Sequence, residues 1–241
     1  MTRPGASPRA MACVIVAAAI VLAGCGKRGT VEGGNDTFSA TTLTVYSNLP
    51  WQGPNAAVAM SISNGEALAL YQAGGHVGHL HVSFTSLNDA SLESGSPTAE
   101  VAGASAHNAS SDQSTVAYIG DLDSASTQIS LPLNNENDIL QISPGSPYVG
   151  FTDPNHVDIA GDPTTYYANG QRTFARLIPS DAVQAAATVR YMRALGVRRI
   201  AVLADTADPR AADIAPLVAA DAAAAGISVV AQRPVSTGAS T

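Results

Sequence analysis

Cysteine, aromatic residues and positive charge are all scarce in this 241-residue chain. Its two cysteines, Cys13 and Cys25, both precede residue 26, so the remainder has no thiol for a disulfide, a nucleophile or a soft metal site. Twelve Lys and Arg stand against 19 Asp and Glu, a net charge of −7, which argues against a nucleic-acid partner. The longest apolar run, residues 11–23, is too short to span a bilayer. No Gly-x-Ser-x-Gly elbow, no Walker-type phosphate loop and no Gly-x-Gly-x-x-Gly after the first strand is present, so nothing marks an enzyme. With aromatics at 5% and alanine abundant, helices are expected to pack through small side chains. Burial alone must hold the fold, and roughly 200 residues suffice for that.

What is present begins at the N-terminus. Arg3 and Arg9 precede the apolar run, no acidic residue occurs before Glu32, and the run closes on Leu22-Ala23-Gly24-Cys25. A short apolar segment after positive charge, ending in small residues, is an export signal. Its last four residues resemble the bacterial lipoprotein box. That resemblance implies removal of residues 1–24, a diacylglyceryl group on Cys25 and an address on the extracytoplasmic face of the cell membrane. Loss of Arg3 and Arg9 would leave 10 basic and 19 acidic residues, a net charge of −9. Residues 25–40, rich in Gly, Thr and Asn with no apolar period, read as a flexible tether.

From residue 41 the chain alternates. Strands are expected at residues 41–48, 79–86, 115–119 and 139–143, with helices at 55–72, 97–110 and 124–134 between them. Residues 144–171, rich in Gly, Pro, Asn, Asp and Tyr, read as a loop and crossover. A second series follows, with strands at 173–177, 199–203 and 227–231 and helices at 181–195 and 209–225. Alternating strands and helices imply an α/β fold with parallel sheets. The expected organisation is a first lobe over residues 41–171, crossover included, and a second, incomplete lobe over 172–241. A series that ends just after a strand would leave a parallel sheet uncovered, so a C-terminal truncation is expected.

In open α/β sheets ligands lie beyond the carboxyl ends of the strands. The segment Asp123-Ser124-Ala125-Ser126-Thr127 opens a helix there, and its backbone N–H groups with the Ser124 hydroxyl could receive a carboxylate; helix capping by Asp123 or Ser124 is the plainer role. Five motifs carry a wider resemblance: Tyr46-Ser-Asn-Leu-Pro-Trp-Gln-Gly-Pro54, Ser86-Leu-Asn-Asp-Ala90, Ala117-Tyr-Ile-Gly-Asp121, Gln141-Ile-Ser-Pro144 and Arg172-Thr-Phe-Ala-Arg-Leu-Ile-Pro179. In order and position they resemble the leucine-binding-protein-like substrate-binding proteins of branched-chain amino acid ABC transporters, of the periplasmic binding protein type I class. The resemblance implies two doubly wound lobes closing on an amino acid or related amide, a permease partner and no cofactor. It places Ser124 and Ala125 at the ligand's carboxylate, the Gly145-Ser146 turn at backbone contacts to carboxylate and ammonium, and Trp51 over the ligand side chain.

Three departures from the pattern stand out. Pro147 takes the place of a ligand-bonding hydroxyl residue and offers neither hydroxyl nor N–H. Asp123 adds a carboxylate beside the carboxylate-binding helix start, which favours an amine or amide ligand. Asp205-Thr-Ala-Asp-Pro-Arg210 replaces an aromatic-Gly pair. Rival readings are a hydrolase using Asp121 and Asp123, a metal-binding lipoprotein using His76, His79 and His81, and a non-transport sensor. The histidines alternate on a turn and strand with no Cys or carboxylate beside them, so a surface edge is the simpler account and no metal site is expected.

Overall fold

The computed structural model describes residues 41–155 and 163–236; the lipobox, with Cys25, and the tether lie outside them. The β-branched, alternating segment Thr42–Leu49 forms β1, the hub of the molecule. Helix α1 (Ala56–Gln72) starts after Pro54 and stops before Gly74 and Gly75, whose φ values of +74° and +71° only glycine adopts without strain. The short β2 (His76–Val77) turns back into β3 (Leu80–Asn88). Then come α2 (Ala99–Ser111), β4 (Thr115–Ile119), α3 (Ser124–Glu136) and β5 (Leu140–Ser143). After β6 (Phe174–Arg176) follow α4 (Asp181–Ala194), β7 (Arg199–Asp205), α5 (Pro209–Ala224) and β8 (Ser228–Val235).

Strands β2-β3-β1-β4-β5-β6 form one sheet in that order, parallel throughout except for the β2–β3 hairpin at its edge. The chain steps from β1 to β3 on one side and then to β4 on the other, so the topological switch point lies beside β1. Ligands of doubly wound sheets lie at the carboxyl end of such a point. Strands β7 and β8 make a separate parallel pair, packed with α4 and α5 through Val189, Ala222 and Ile227. Residues 174–176 were expected to open the second series; they close the first sheet instead, by parallel pairing with β5. A three-residue strand carries too little periodicity to announce its partner.

The two faces of the large sheet differ. On one, α2 and α3 pack against each other, and Ala109 of α2 is buried with Tyr118 and Ile139. On the other, α1 stands over Val45, Val82, Phe84, Ile119 and Ile142 with a cavity of about 790 Å³ between helix and sheet. Within α1 only Ala59 is buried, and Tyr71 is 83% exposed.

Residues 144–171 do more than cross over. Tyr148, Phe151, Tyr166 and Tyr167 gather with Leu131 and Phe174 into an apolar cluster, with Phe151 edge-on to Tyr148 and Tyr166 at ring separations of 5.2 and 5.0 Å. Five of the chain's twelve aromatic residues are thus spent on holding this connection against α3 and β6.

Candidate ligand-binding site

Two loops at the carboxyl edge of the sheet are built into one another. After β4 the chain runs through Gly120 and Asp121 to the start of α3; after β5 it runs through Ser143-Pro-Gly-Ser-Pro147. Ser143 is the hub: its hydroxyl donates to the Asp121 carbonyl at 2.6 Å and accepts from the N–H groups of Gly145 at 3.2 Å and Ser146 at 2.9 Å. The Ser146 hydroxyl, fully buried, bonds Thr127 Oγ1 and donates to the Asp123 carbonyl at 2.8 Å. Gly145 must lack a side chain, because a Cβ there would stand 2.3 Å from the Leu122 carbonyl oxygen. The backbone N–H groups of Gly145 and Ser146 are therefore turned inward, onto Ser143.

Ser124 begins α3 beside this pair of loops, half-buried, with Ala125 exposed next to it. Its hydroxyl oxygen accepts from the Tyr148 N–H at 3.2 Å, and its own O–H has no acceptor among the described residues. The cap of α3 is Asp123: Oδ1 accepts from Ser126 N–H at 2.9 Å and Oδ2 from Ser126 Oγ at 2.8 Å. That engagement turns the Asp123 carboxylate toward its own helix rather than toward an arriving ammonium group. Trp51, also half-buried, lies after β1; its N–H meets Asn88 Oδ1 at 3.0 Å and its indole Nε1–H donates to the Leu87 carbonyl at 2.9 Å. The indole is fixed to the end of β3, at the mouth of the same edge.

Beneath these loops lies a cluster of buried acids that no motif in the sequence announces. Asp121, fully buried, accepts from Asn48 Nδ2 at 2.7 Å, Tyr118 OH at 3.0 Å and Ser130 Oγ at 2.6 Å. The Asn48–Asp121 bond joins the ends of β1 and β4 across the switch point. Burial pushes the Asp121 carboxyl up to about 6 despite those three donors. Asp89, also fully buried, has no hydrogen-bond partner on either oxygen among the described residues, and burial with the neighbouring Asp121 and Asp123 charges pushes it up to about 7. No cation comes from nearby sequence: between Arg28 and Arg172 there is no lysine or arginine. Positions 48, 89 and 121 each end or follow a strand, which was the signal available.

Asp121 and Asp123 do not form a matched catalytic pair, since one is buried in a donor cage and the other caps a helix. His76, His79 and His81 are exposed on the β2–β3 edge, where His76 and His81 pair across the strands with rings 5.3 Å apart. Among the described residues no group of three or more His, Cys, Asp or Glu could hold a metal ion, and no helix is long and apolar enough to cross a membrane.

A doubly wound sheet with interlocked loops at its switch point defines a ligand-binding α/β domain of the periplasmic binding protein type I class. Residues 66–240 match the family model for the receptor family ligand binding region, and the chain belongs to that family. No curated protein matches it. Among solved structures it is similar to an ABC transporter substrate-binding protein from Desulfitobacterium hafniense in complex with leucine. The two share 20% identity over 80% of this chain and 51% of that one, with a TM-score of 0.63. A leucine-binding protein from Thermotoga maritima shares 20% identity over 81% and 49%, TM-score 0.62. A solute-binding protein of an ABC transporter from R. palustris, in complex with benzoate, shares 17% over 82% and 49%, TM-score 0.64. At these identities the likeness is one of fold, and the chain spans about half the length of each of these proteins.

Proposed function

We propose that this chain is the ligand-gripping part of an extracytoplasmic solute-binding lipoprotein that serves an ABC importer. It is not an enzyme in this reading. The solute is an amino acid or related amide with a hydrophobic side chain, received at the carboxyl edge of the sheet with Ser124, Ala125 and Trp51 as its side-chain and helix-start contacts and the Gly145-Ser146 turn as their support, and Cys25 carries the lipid that keeps the domain beside its permease. The observation that carries the reading is the junction of the two switch-point loops, in which Ser124 accepts from Tyr148 N–H and keeps its own proton for a ligand oxygen. The carboxylate, amide and apolar solutes in the panel below are chosen to match that donor and the Trp51 indole.

Calorimetry of the purified protein with leucine, isoleucine, benzoate and leucinamide tests the solute. Binding of at least one is expected, and Ser124→Ala should weaken it by about 1–3 kcal/mol, the cost of leaving a buried charged partner short of a donor. Silence across the whole panel would overturn the reading; binding indifferent to Ser124→Ala would reduce that serine to a loop support. Mass spectrometry of the membrane-extracted protein tests the anchor: a lipid-modified N-terminal peptide beginning at Cys25 is expected, and an unmodified thiol there would refute it.

A further inference from the structure

We propose that Arg210 is a positioning residue for the ligand loop, acting through Asp181 across the junction between the two sheets. The inference rests on the proposed solute-binding role of the 143–148 loop, and it concerns a residue that replaces part of an expected aromatic-Gly pair. Arg210 stands in the first turn of α5, just after Asp208, which caps that helix by accepting from the Arg210 N–H at 3.0 Å. Its guanidinium donates twice to one carboxylate oxygen of Asp181, from Nε at 3.1 Å and from Nη2 at 3.0 Å. Nη2 also donates to Gln184 Oε1 at 2.6 Å.

Asp181 is 1% exposed and opens α4. Its backbone N–H donates to the carbonyl of Pro147 at 2.9 Å. Pro147 is flanked by Ser146, whose hydroxyl is locked onto α3, and by Tyr148, whose N–H is on Ser124 Oγ. The carbonyl of Tyr148 is in turn taken by Arg176 Nη1 at 2.8 Å. One continuous run of hydrogen bonds therefore leads from the start of α5, through the buried Asp181, to the loop that carries Gly145 and Ser146.

The chemistry suits the role. A charge-assisted, two-donor contact fixes direction as well as distance, and lysine cannot reproduce it. The second oxygen of Asp181 is buried with no hydrogen bond among the described residues, and Arg176 adds only a through-space attraction, so the direct contact comes from Arg210. Remove the guanidinium and a buried carboxylate loses both of its donors, so it must move toward water and carry its own N–H away from Pro147. Binding sites held to sub-ångström tolerance depend on such supporting contacts.

The experiment compares Arg210→Ala, Arg210→Lys and Gln184→Ala by amide hydrogen exchange and by leucine titration. Exchange at Asp181 and Tyr148 is expected to quicken about tenfold in Arg210→Ala while the β1 amides keep their rates, with partial restoration in Arg210→Lys and none of the effect in Gln184→Ala. Leucine affinity should follow the same order, falling about tenfold in Arg210→Ala. Equal acceleration at every amide, or equal behaviour of the Arg210 and Gln184 variants, would overturn the proposal and leave Arg210 a stabilising contact only. If the wild-type protein binds nothing in the panel, the solute-binding reading fails while exchange at Asp181 and Tyr148 still decides the positioning role.

Discussion

The two faces of the six-stranded sheet are packed to different degrees, and the difference shows what decides how well the two sides of one strand are covered. Under α2 and α3 the sheet is closed: Tyr118, Leu131, Asn134 and Gln141 are fully buried, and Gln141 bridges the Gly120 carbonyl, Ser130 and Asn134 in a polar seam. Under α1 it is open, with a cavity of about 790 Å³ and with Val58, Met60, Leu68 and Tyr71 of the helix turned largely to solvent. The same strands feed both faces, since alternate residues of β1 point to opposite sides. Strand propensity therefore cannot account for the contrast; packing partners do. The interlocked loops of the candidate site run from the ends of β4 and β5 into α3 and the aromatic cluster, so these two loops are built from the closed side.

The largest expected effect tests that contrast directly. Phe151 has no exposed surface and touches Tyr148, Tyr166 and Phe174. Phe151→Ala is expected to cost about 3–5 kcal/mol in urea denaturation, the usual toll for emptying a packed aromatic site. Leu68, on the open side, is 54% exposed. Leu68→Ala should change stability by less than about 0.5 kcal/mol. Similar losses from both would erase the distinction between a closed and an open face.

A middle-sized effect comes from the acids at the carboxyl edge of the closed side. Asp89 has its carboxyl raised from 3.8 to about 7, first by burial and then by the Asp121 and Asp123 charges. A carboxyl whose folded value is raised binds its proton more tightly folded than unfolded, so its contribution is complete at low pH and is lost as pH rises through the folded value. Stability should therefore fall by about 2 kcal/mol between pH 5.5 and pH 7.5. Tyr118 and Asp121 also face this group, and Asp121, raised to about 6, adds loss in the same direction toward the acid end. Asp89→Asn should flatten the profile above pH 6 while leaving the Asp121 part; an unchanged profile would show that Asp89 is ionised throughout.

Much of this architecture could be read from residue order. Strand at 115–119 and helix starts at Ser124, Asp181 and Pro209 coincide with the expectations, because β-branched alternation, capping residues and a proline in the first helical turn act locally. Other features depend on distant partners. β6 owes its place to pairing with β5 some thirty residues earlier, and the aromatic cluster has no period at all. In the site, Ser124 and the Gly145-Ser146 turn do come together, but the inward aim of the two turn N–H groups follows from Ser143, a residue that reads as an ordinary strand end. The Asn48–Asp121 hydrogen bond joins positions 73 residues apart, with the Asp89 charge close enough to Asp121 to be felt, and only the topology makes them neighbours.

The smallest effect separates the two roles of Asp123, which caps α3 and adds charge beside Asp89. Thr98 is the matching cap on α2, where its side chain accepts from Val101 N–H at 3.3 Å and brings no charge of its own. Each cap is worth about 1 kcal/mol, so Thr98→Ala and Asp123→Ala should both lower stability by that order at pH 5.5. They should then diverge. Removing the Asp123 charge takes away one of the causes holding the Asp89 carboxyl up, so the step in the stability–pH profile should shift to lower pH in Asp123→Ala alone. At pH 7.5 the relief of repulsion offsets part of the lost cap, and Asp123→Ala should be the milder of the two. If both variants show the wild-type pH step, the Asp123 carboxylate is no more than a cap and the acidic edge owes its raised carboxyl to burial and Asp121.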